Sequence, residues 1–450
     1  MGVFNANDIR GIFDKEWDLA TAYRIGYFLP EILDSDIIVV GRDARLTSGQ
    51  IFDHLCRGIN DAGADVIDIG LCDTPAMYFT VGMYGYGGGA MITASHNPAE
   101  YNGIKIVRKG PAAIGYKDGI AELEKMVNES KGRDMDKKKK KGRIVYKSIE
   151  KDYISFYSEY TKNIGNLKIV VDCSNGSAGV YGRKILAGSN VKAVYINEKP
   201  DGRFPGHGPD PMKKENLAQL SIAVKNEKAD IGLCFDGDAD RIVFIDENGN
   251  PVSPDMIIAI LGKYFLKAGK ETILYDLRCS NGIAEFISEC GGEAVMCPVG
   301  HVFLKKKLKE TGSAFGGELA GHYYFRDFFF CDSGWMTALL VLSVLSAADT
   351  GEKLSDMVNT IRKYYFSGEL NFPVNGGDRE SLYSMLKEKY KDGVKNEIDG
   401  IRIDYPDWWF VVRRSTNEPL VRLIVETKKE NELEGRIKEL AGLIQTSGSK

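Results

Sequence analysis

Short runs of β-branched and other apolar residues alternate with helix-period segments along most of the chain. Ile37–Val40, Val66–Ile69, Ala90–Ala94 and Ile104–Val107 read as strands, and Gly49 to Gly63 reads as a helix closed by a glycine stop. Such alternation predicts parallel or mixed sheets covered by helices. A basic run, Lys137–Lys141, reads as a solvated linker, after which the pattern restarts. A helix from about Ile149 to Lys162 leads to the strand Lys168–Asp172 and the turn Cys173-Ser174-Asn175-Gly176. The same tetrapeptide recurs at Cys279-Ser280-Asn281-Gly282, after the strand Thr272–Asp276, about one domain later. Both copies sit between a strand and a helix, so they read as equivalent corners of duplicated α/β units.

The last stretch has a different order. Leu370–Val374 is followed by a helix over Arg379–Tyr390. Three strand-like runs come next (Gly400–Tyr405, Trp408–Arg413 and Leu420–Glu426), then a final helix from Glu432. Tyr405-Pro406-Asp407 supplies the turn between two of those strands, which suits an antiparallel α+β unit. The fold class expected is α/β: three similar α/β domains with mixed sheets (1–146, 147–250 and 251–366) and a smaller C-terminal α+β domain (367–450).

Composition narrows the function classes. At 450 residues, 43% hydrophobic and 27% charged, the chain can bury several cores. A net charge of −4 argues against a protein that relies on a global basic field to bind nucleic acid. The eight cysteines are scattered and never spaced as CxxC, which points to free thiols in a reducing compartment. Met1 to Ile12 lacks the apolar stretch of a signal peptide, and the apolar segment Trp335–Ala348 is too short to span a bilayer and reads as a buried helix. A cytoplasmic protein is expected, with no membrane partner, monomeric or weakly homo-oligomeric.

Five segments could carry chemistry. Thr93-Ala94-Ser95-His96-Asn97-Pro98 follows an apolar strand, at the kind of strand end where open α/β sheets bind ligands. No GxSxG elbow surrounds Ser95, and adjacent residues seldom aim their side chains at each other as nucleophile and base. Asp236-Gly237-Asp238-Ala239-Asp240-Arg241 places carboxylates at alternate positions between two strands, Asp230–Phe235 and Ile242–Ile245. Hard oxygen ligands so arranged suit Mg²⁺ or Ca²⁺. An EF-hand fails because Arg241 stands where the turn glycine belongs. Arg241 could also pair with a phosphate bound to the same ion. Tyr101-Asn102-Gly103-Ile104-Lys105 brings a lysine into the strand after Ser95. Gly316-Gly317-Glu318-Leu319-Ala320-Gly321-His322 permits close ligand approach, with Glu318 and His322 able to bind hydroxyls. Arg413-Arg414-Ser415-Thr416-Asn417-Glu418-Pro419 gathers guanidiniums, hydroxyls and an amide in one loop, a composition suited to phosphate.

In this order TASHNP, YNGIK, DGDADR, GELAGH and RRSTNEP resemble the motifs of the α-D-phosphohexomutase superfamily, from FNANDIRG at Phe4–Gly11 to Glu426. The branch most resembled is phosphomannomutase/phosphoglucomutase, on DGDADR, Phe204–Leu217 (FPGHGPDPMKKENL) and Asp399–Arg413 (DGIRIDYPDWWFVVR). The resemblance implies four domains around a central cleft. It also implies a mutase that interconverts hexose 1- and 6-phosphates of mannose or glucose through a phosphoserine enzyme and a hexose 1,6-bisphosphate. Ser95 would be the phosphoserine and, with Asp236, Asp238 and Asp240, would hold Mg²⁺. Lys105 would do acid/base work, and His96, Arg10 and Arg241 would surround the reacting phosphoryl group. Arg278, His301, Glu318 and His322 would contact the sugar phosphate. Arg413, Ser415, Thr416, Asn417 and Arg422 would hold the non-reacting phosphate.

Three positions depart from the family pattern: Ala320 for a serine, Asn7 for a tyrosine, and Thr416-Asn417 with the two residue types exchanged. The first two touch sugar recognition and leave the sugar open. A phosphosugar phosphatase and a silent sugar-phosphate binder are the alternatives.

Overall fold

The computed structural model describes residues 2–135, 138, 141–347, 351–373, 379–414 and 420–447. Four sheets follow one another along the chain. In the first, Ile37–Arg42 runs parallel to Asp65–Leu71 on one side and Gly88–Ile92 on the other, and Tyr101–Arg108 returns antiparallel to Gly88–Ile92. The second repeats this scheme with Lys168–Asp172 between Lys192–Ile196 and Ile231–Phe235, and Ile242–Ile245 returning antiparallel. The third repeats it again with Thr272–Asp276, Glu293–Cys297, Phe315–Gly317 and Tyr323–Phe325. The fourth sheet is antiparallel, and Trp408–Arg414 and Leu420–Thr427 form its longest pair.

Each of the first three sheets has a fully buried third strand, so polar residues cannot interrupt it until its loop begins. The expected strand Ala90–Ala94 is corrected to Gly88–Ile92, with Thr93 and Ala94 already in the loop. Both CSNG turns follow the second strand of their sheets' order, as expected of duplicated corners, yet they differ locally. Ser174 and Asn175 take φ of 50° and 51°, whereas Ser280 caps the helix Asn281–Glu289 by accepting from the Gly282 amide. Several short strands pass unseen in the sequence, and three of them sit at sheet margins. Ile144–Tyr146 adds to the edge of the first sheet, Pro251–Val252 closes the second, and Tyr365–Phe366 belongs to the fourth. The apolar helix Gly334–Ser346 is buried on nearly every side in a core to which all four units contribute residues. Val374 and most of the Lys137–Lys141 run lie outside the described residues. Among those described, Lys141 is solvent-facing and pairs with Asp61 at 3.2 Å.

The fourth unit docks on the third through buried polar groups. Arg402, without solvent exposure, donates to Leu277 O at 2.7 Å and to Asn281 Oδ1 at 2.5 Å. Glu426 Oε2 accepts from the Asn281 amide at 3.0 Å and from Trp409 Nε1 at 2.5 Å. Burial pushes the Glu426 carboxyl up from 4.5 to about 7, against the pull of these donors. Between those two pH values the folded chain holds a proton here that the unfolded chain has lost. Stability from this group is therefore present below pH 4.5 and lost as pH rises toward 7. Melting curves of the parent and Glu426→Gln chains should diverge over that window, by about 3 kcal/mol at most, with the parent losing ground as pH rises. A constant difference between the two would contradict this.

Candidate active site

The three motif loops occupy the same topological place. TASHNP, DGDADR and GELAGH each join the third strand of a sheet to its antiparallel partner, so three copies of one hairpin connection meet. The main chain ties the second loop to the third, and to the helix start at Thr74 in the first unit. The Thr74 amide donates to Asp238 O at 2.9 Å, Ile242 N donates to Gly321 O at 3.1 Å, and Arg241 and His322 form an isolated β-bridge. Gly237 is required here, because a Cβ at that position would lie 2.5 Å from the Ser95 carbonyl oxygen.

Ser95 has φ of 50°, a backbone state costing about 1 kcal/mol or more for a non-glycine residue. The loop is held in that state by its neighbours. Thr93 Oγ1 accepts from the Ser95 amide at 2.9 Å. Arg45, only 3% exposed, donates to four backbone oxygens: Ser95 at 2.9 Å, Asn97 at 2.6 Å, Pro98 at 2.6 Å and Tyr101 at 2.9 Å. Ser95 Oγ donates to Asp236 Oδ2 at 2.7 Å. Contrary to the expectation for adjacent residues, His96 Nδ1 also lies 3.4 Å from Ser95 Oγ, because the left-handed turn at Ser95 brings the two side chains round.

Asp236, Asp238 and Asp240 are all buried and each offers an oxygen within 4.8 Å of the others. Burial and the charges of Asp238 and Asp240 push Asp236 well above the usual carboxylate range. Asp238 is held below that range despite its burial, by Lys105 and the Thr74 hydroxyl, which donates to it at 2.5 Å. Lys105 Nζ lies 2.7 Å from Asp238 Oδ2 and also pairs with Asp240 Oδ2. Burial works against its charge, but the three carboxylates outweigh it and raise its pKa. One ammonium thus faces three carboxyl groups, while Asp238 Oδ1 and Asp240 Oδ1 are buried without a hydrogen-bond donor. Orphaned hard oxygens and surplus negative charge fit a divalent cation.

Cationic groups ring the serine. Arg10 pairs with Asp8 and donates to Asn97 Oδ1 at 2.8 Å. Arg241 Nε is 4.0 Å from Asp236 Oδ2 and donates to His322 Nε2 at 2.8 Å. Burial and the charges of Arg241, Arg10 and Lys105 push His96 well below its ordinary value, so it is neutral near pH 7.

Of the residues expected around the sugar phosphate, Glu318, Arg278 and His322 are already partnered inside the protein. Glu318 accepts from the Gly300 amide and from Tyr324 Oη, each at 2.7 Å. Arg278 clasps Asp276 at 3.0 and 2.8 Å, with Glu369 3.8 Å away. His301 opens the helix His301–Thr311, where burial and Lys305 push it well below its ordinary value. His322 uses both ring nitrogens inside the protein, Nδ1 facing Asp332 Oδ2 at 2.8 Å. In the fourth unit Arg413 pairs with Asp399 at 2.6 Å and Arg422 with Glu369 at 3.1 Å. Ser415, Thr416 and Asn417 lie outside the described residues.

Sequence reasoning missed Arg45, Thr74, Tyr324, Lys305 and Asp332. Only Thr74 carried a local signal, since Asp73-Thr74-Pro75 reads as a helix start and Asp73 does cap Thr74–Tyr84.

Known proteins resemble the chain over nearly its whole length. Family models described as phosphoglucomutase/phosphomannomutase alpha/beta/alpha domains I, II and III match residues 1–133, 138–249 and 253–365, and the C-terminal domain matches 369–442. A phosphomannomutase of Methanocaldococcus jannaschii is 37% identical, over 98% of this chain and 97% of the relative. A phosphomannomutase/phosphoglucomutase of Pseudomonas syringae pv. tomato is 34% identical, over 96% and 92%. The crystal structure of a phosphoglucomutase/phosphomannomutase family protein from Burkholderia thailandensis superposes with a TM-score of 0.89 at 30% identity, covering 99% of this chain and 97% of that one.

Proposed function

The chain belongs to the phosphoglucomutase/phosphomannomutase family, and we propose that it interconverts the 1- and 6-phosphates of mannose and glucose through a phosphoserine at Ser95. The observation that carries this reading is the meeting of Ser95 Oγ with Asp236 at 2.7 Å, inside a cluster of three carboxylates supplied by the equivalent loop of the next unit.

In the forward direction the phosphoryl group on Ser95 Oγ passes to a free sugar hydroxyl. The P–Oγ bond breaks, a P–O bond to the sugar forms, and a hexose 1,6-bisphosphate results. That intermediate turns end for end, and its other phosphoryl group returns to Ser95. Protons move in opposite senses in the two halves, and Lys105, whose Nζ pairs with Asp238 and Asp240 in the cluster that Ser95 Oγ meets, would exchange them with the sugar oxygen. Asp236, Asp238 and Asp240 would hold Mg²⁺, which when bound supplies positive charge for the phosphoryl oxygens. Arg10 and Arg241 add fixed cationic charge around Ser95, and neutral His96 offers a ring nitrogen beside Oγ. Glu318 and Arg278 would contact the sugar phosphate, and Arg413 and Arg422, with Ser415, Thr416 and Asn417, would hold the distal phosphate. Asp399 and Glu369 occupy those guanidiniums here, so a bound phosphate would take over as their anion.

Free thiols at all eight cysteines suit a cytoplasmic setting, and no described helix is long and apolar enough to cross a membrane. The test is turnover of mannose or glucose 1-phosphate with Mg²⁺ and a trace of glucose 1,6-bisphosphate. The 6-phosphate is expected. Inorganic phosphate rising in step with substrate loss would replace the mutase by a phosphatase. Binding without conversion across a panel of phosphosugars would overturn both.

A further inference from the structure

We propose that Asp332, paired with Lys305, is a positioning residue that fixes the orientation of His322 and, through it, aims Arg241 at the phosphoryl group on Ser95. The inference rests on the mutase reading above.

The chain of contacts is short and buried. Lys305 Nζ, on the helix His301–Thr311, lies 2.7 Å from Asp332 Oδ1, and Asp332 Oδ2 lies 2.8 Å from His322 Nδ1. Arg241 Nε donates to His322 Nε2 at 2.8 Å. Asp236 Oδ2, the acceptor of Ser95 Oγ, is 4.0 Å from the same Arg241 nitrogen. A guanidinium can only donate, so His322 Nε2 must be an acceptor and its proton must sit on Nδ1, aimed at Asp332. Of the two nearby carboxylates only Asp332 is close enough to take it, because Asp240 Oδ1 is 3.7 Å away. The tautomer of one ring thus decides whether Arg241 has an acceptor.

Asp332 needs a reason to be charged at 1% exposure. Lys305 supplies it, and stacks its ammonium over Tyr78 of the first unit at 4.1 Å. Burying an ion pair is costly, and an apolar pair of similar size would pack as well. What the charge adds is the proton position on His322. The backbone bridge between Arg241 and His322 holds the two side chains in range but cannot choose the tautomer.

Asp332→Asn should lower kcat about 10- to 100-fold with KM for the sugar phosphate changed less than about threefold, as for other groups that orient a reacting shell. Lys305→Met should lower kcat in the same sense and Lys305→Arg should retain most of it. Lys305→Met carries the test if Asp332→Asn does not fold, with thermal melting reporting that. In an Arg241→Lys background, which lacks the Nε proton, Asp332→Asn should cost less than about threefold further. Full additivity, or a loss confined to KM, would overturn the proposal. A wild-type chain without turnover would instead sink the mutase reading. The ¹⁵N spectrum of the His322 ring then still decides the inference: protonation on Nδ1 in the wild type, altered in Asp332→Asn, is expected, and an Nε2-protonated ring would refute it.

Discussion

Ser95→Ala should reduce mutase turnover by about four orders of magnitude or more while leaving the melting temperature almost unchanged. Ser95 supplies the hydroxyl bonded to Asp236 at 2.7 Å, whereas the Thr74 hydroxyl donates to Asp238 and Thr93 Oγ1 is engaged by the Ser95 amide. The loop keeps its shape without that hydroxyl, because Arg45 grips four of its backbone oxygens and alanine tolerates φ of 50° no worse than serine. Mass spectrometry of the active wild type should find phosphate on Ser95, and steady-state assays with circular dichroism melts separate chemistry from folding. An alanine variant with near-normal turnover would remove Ser95 from the reaction.

The second large effect is expected at Asp238. It has no solvent exposure, and its Oδ2 is shared between Thr74 and Lys105 while Oδ1 lacks a donor. Asp238→Ala leaves Lys105 with Asp240, and a cation with two carboxylates instead of three. Turnover should fall about 10³-fold, and the Mg²⁺ concentration for half-maximal rate should rise by at least about tenfold. Chelator treatment of the wild type should produce a comparable loss that added Mg²⁺ reverses. Titrating the rate against Mg²⁺ checks both, and an unchanged Mg²⁺ profile in Asp238→Ala would contradict the assignment of the cluster.

How much of this was legible depends on how far apart the partners lie in sequence. The strands Lys168–Asp172, Thr272–Asp276 and Ile242–Ile245 coincide with their apolar runs, because a strand buried on both faces writes itself as a continuous hydrophobic segment. DGDADR was readable as a carboxylate cluster suited to a cation because its three Asp are local in sequence. Strands of two or three residues, such as Cys331–Asp332, are too short for any alternation to show. Arg45 and Lys305 look in sequence like surface charge, and only the folded chain shows one clamping the Ser95 loop and the other beneath Tyr78. Thr74 with Asp238, and Arg241 with His322, pair across different units, which no local pattern encodes. The equivalence of the three motif loops was half visible: the twin CSNG turns announced a duplication, but the motifs TASHNP, DGDADR and GELAGH have too little in common to reveal it. Only strand order shows that they are one connection used three times.

The most direct test is to follow the phosphorus itself. The enzyme is charged with ³²P at Ser95 from labelled glucose 1,6-bisphosphate, freed of excess label, and mixed with unlabelled mannose 1-phosphate and Mg²⁺ for a single turnover. Label leaving Ser95 and appearing in mannose 1,6-bisphosphate and mannose 6-phosphate is the expected result. Label that stays on the protein, or emerges only as inorganic phosphate, would contradict it.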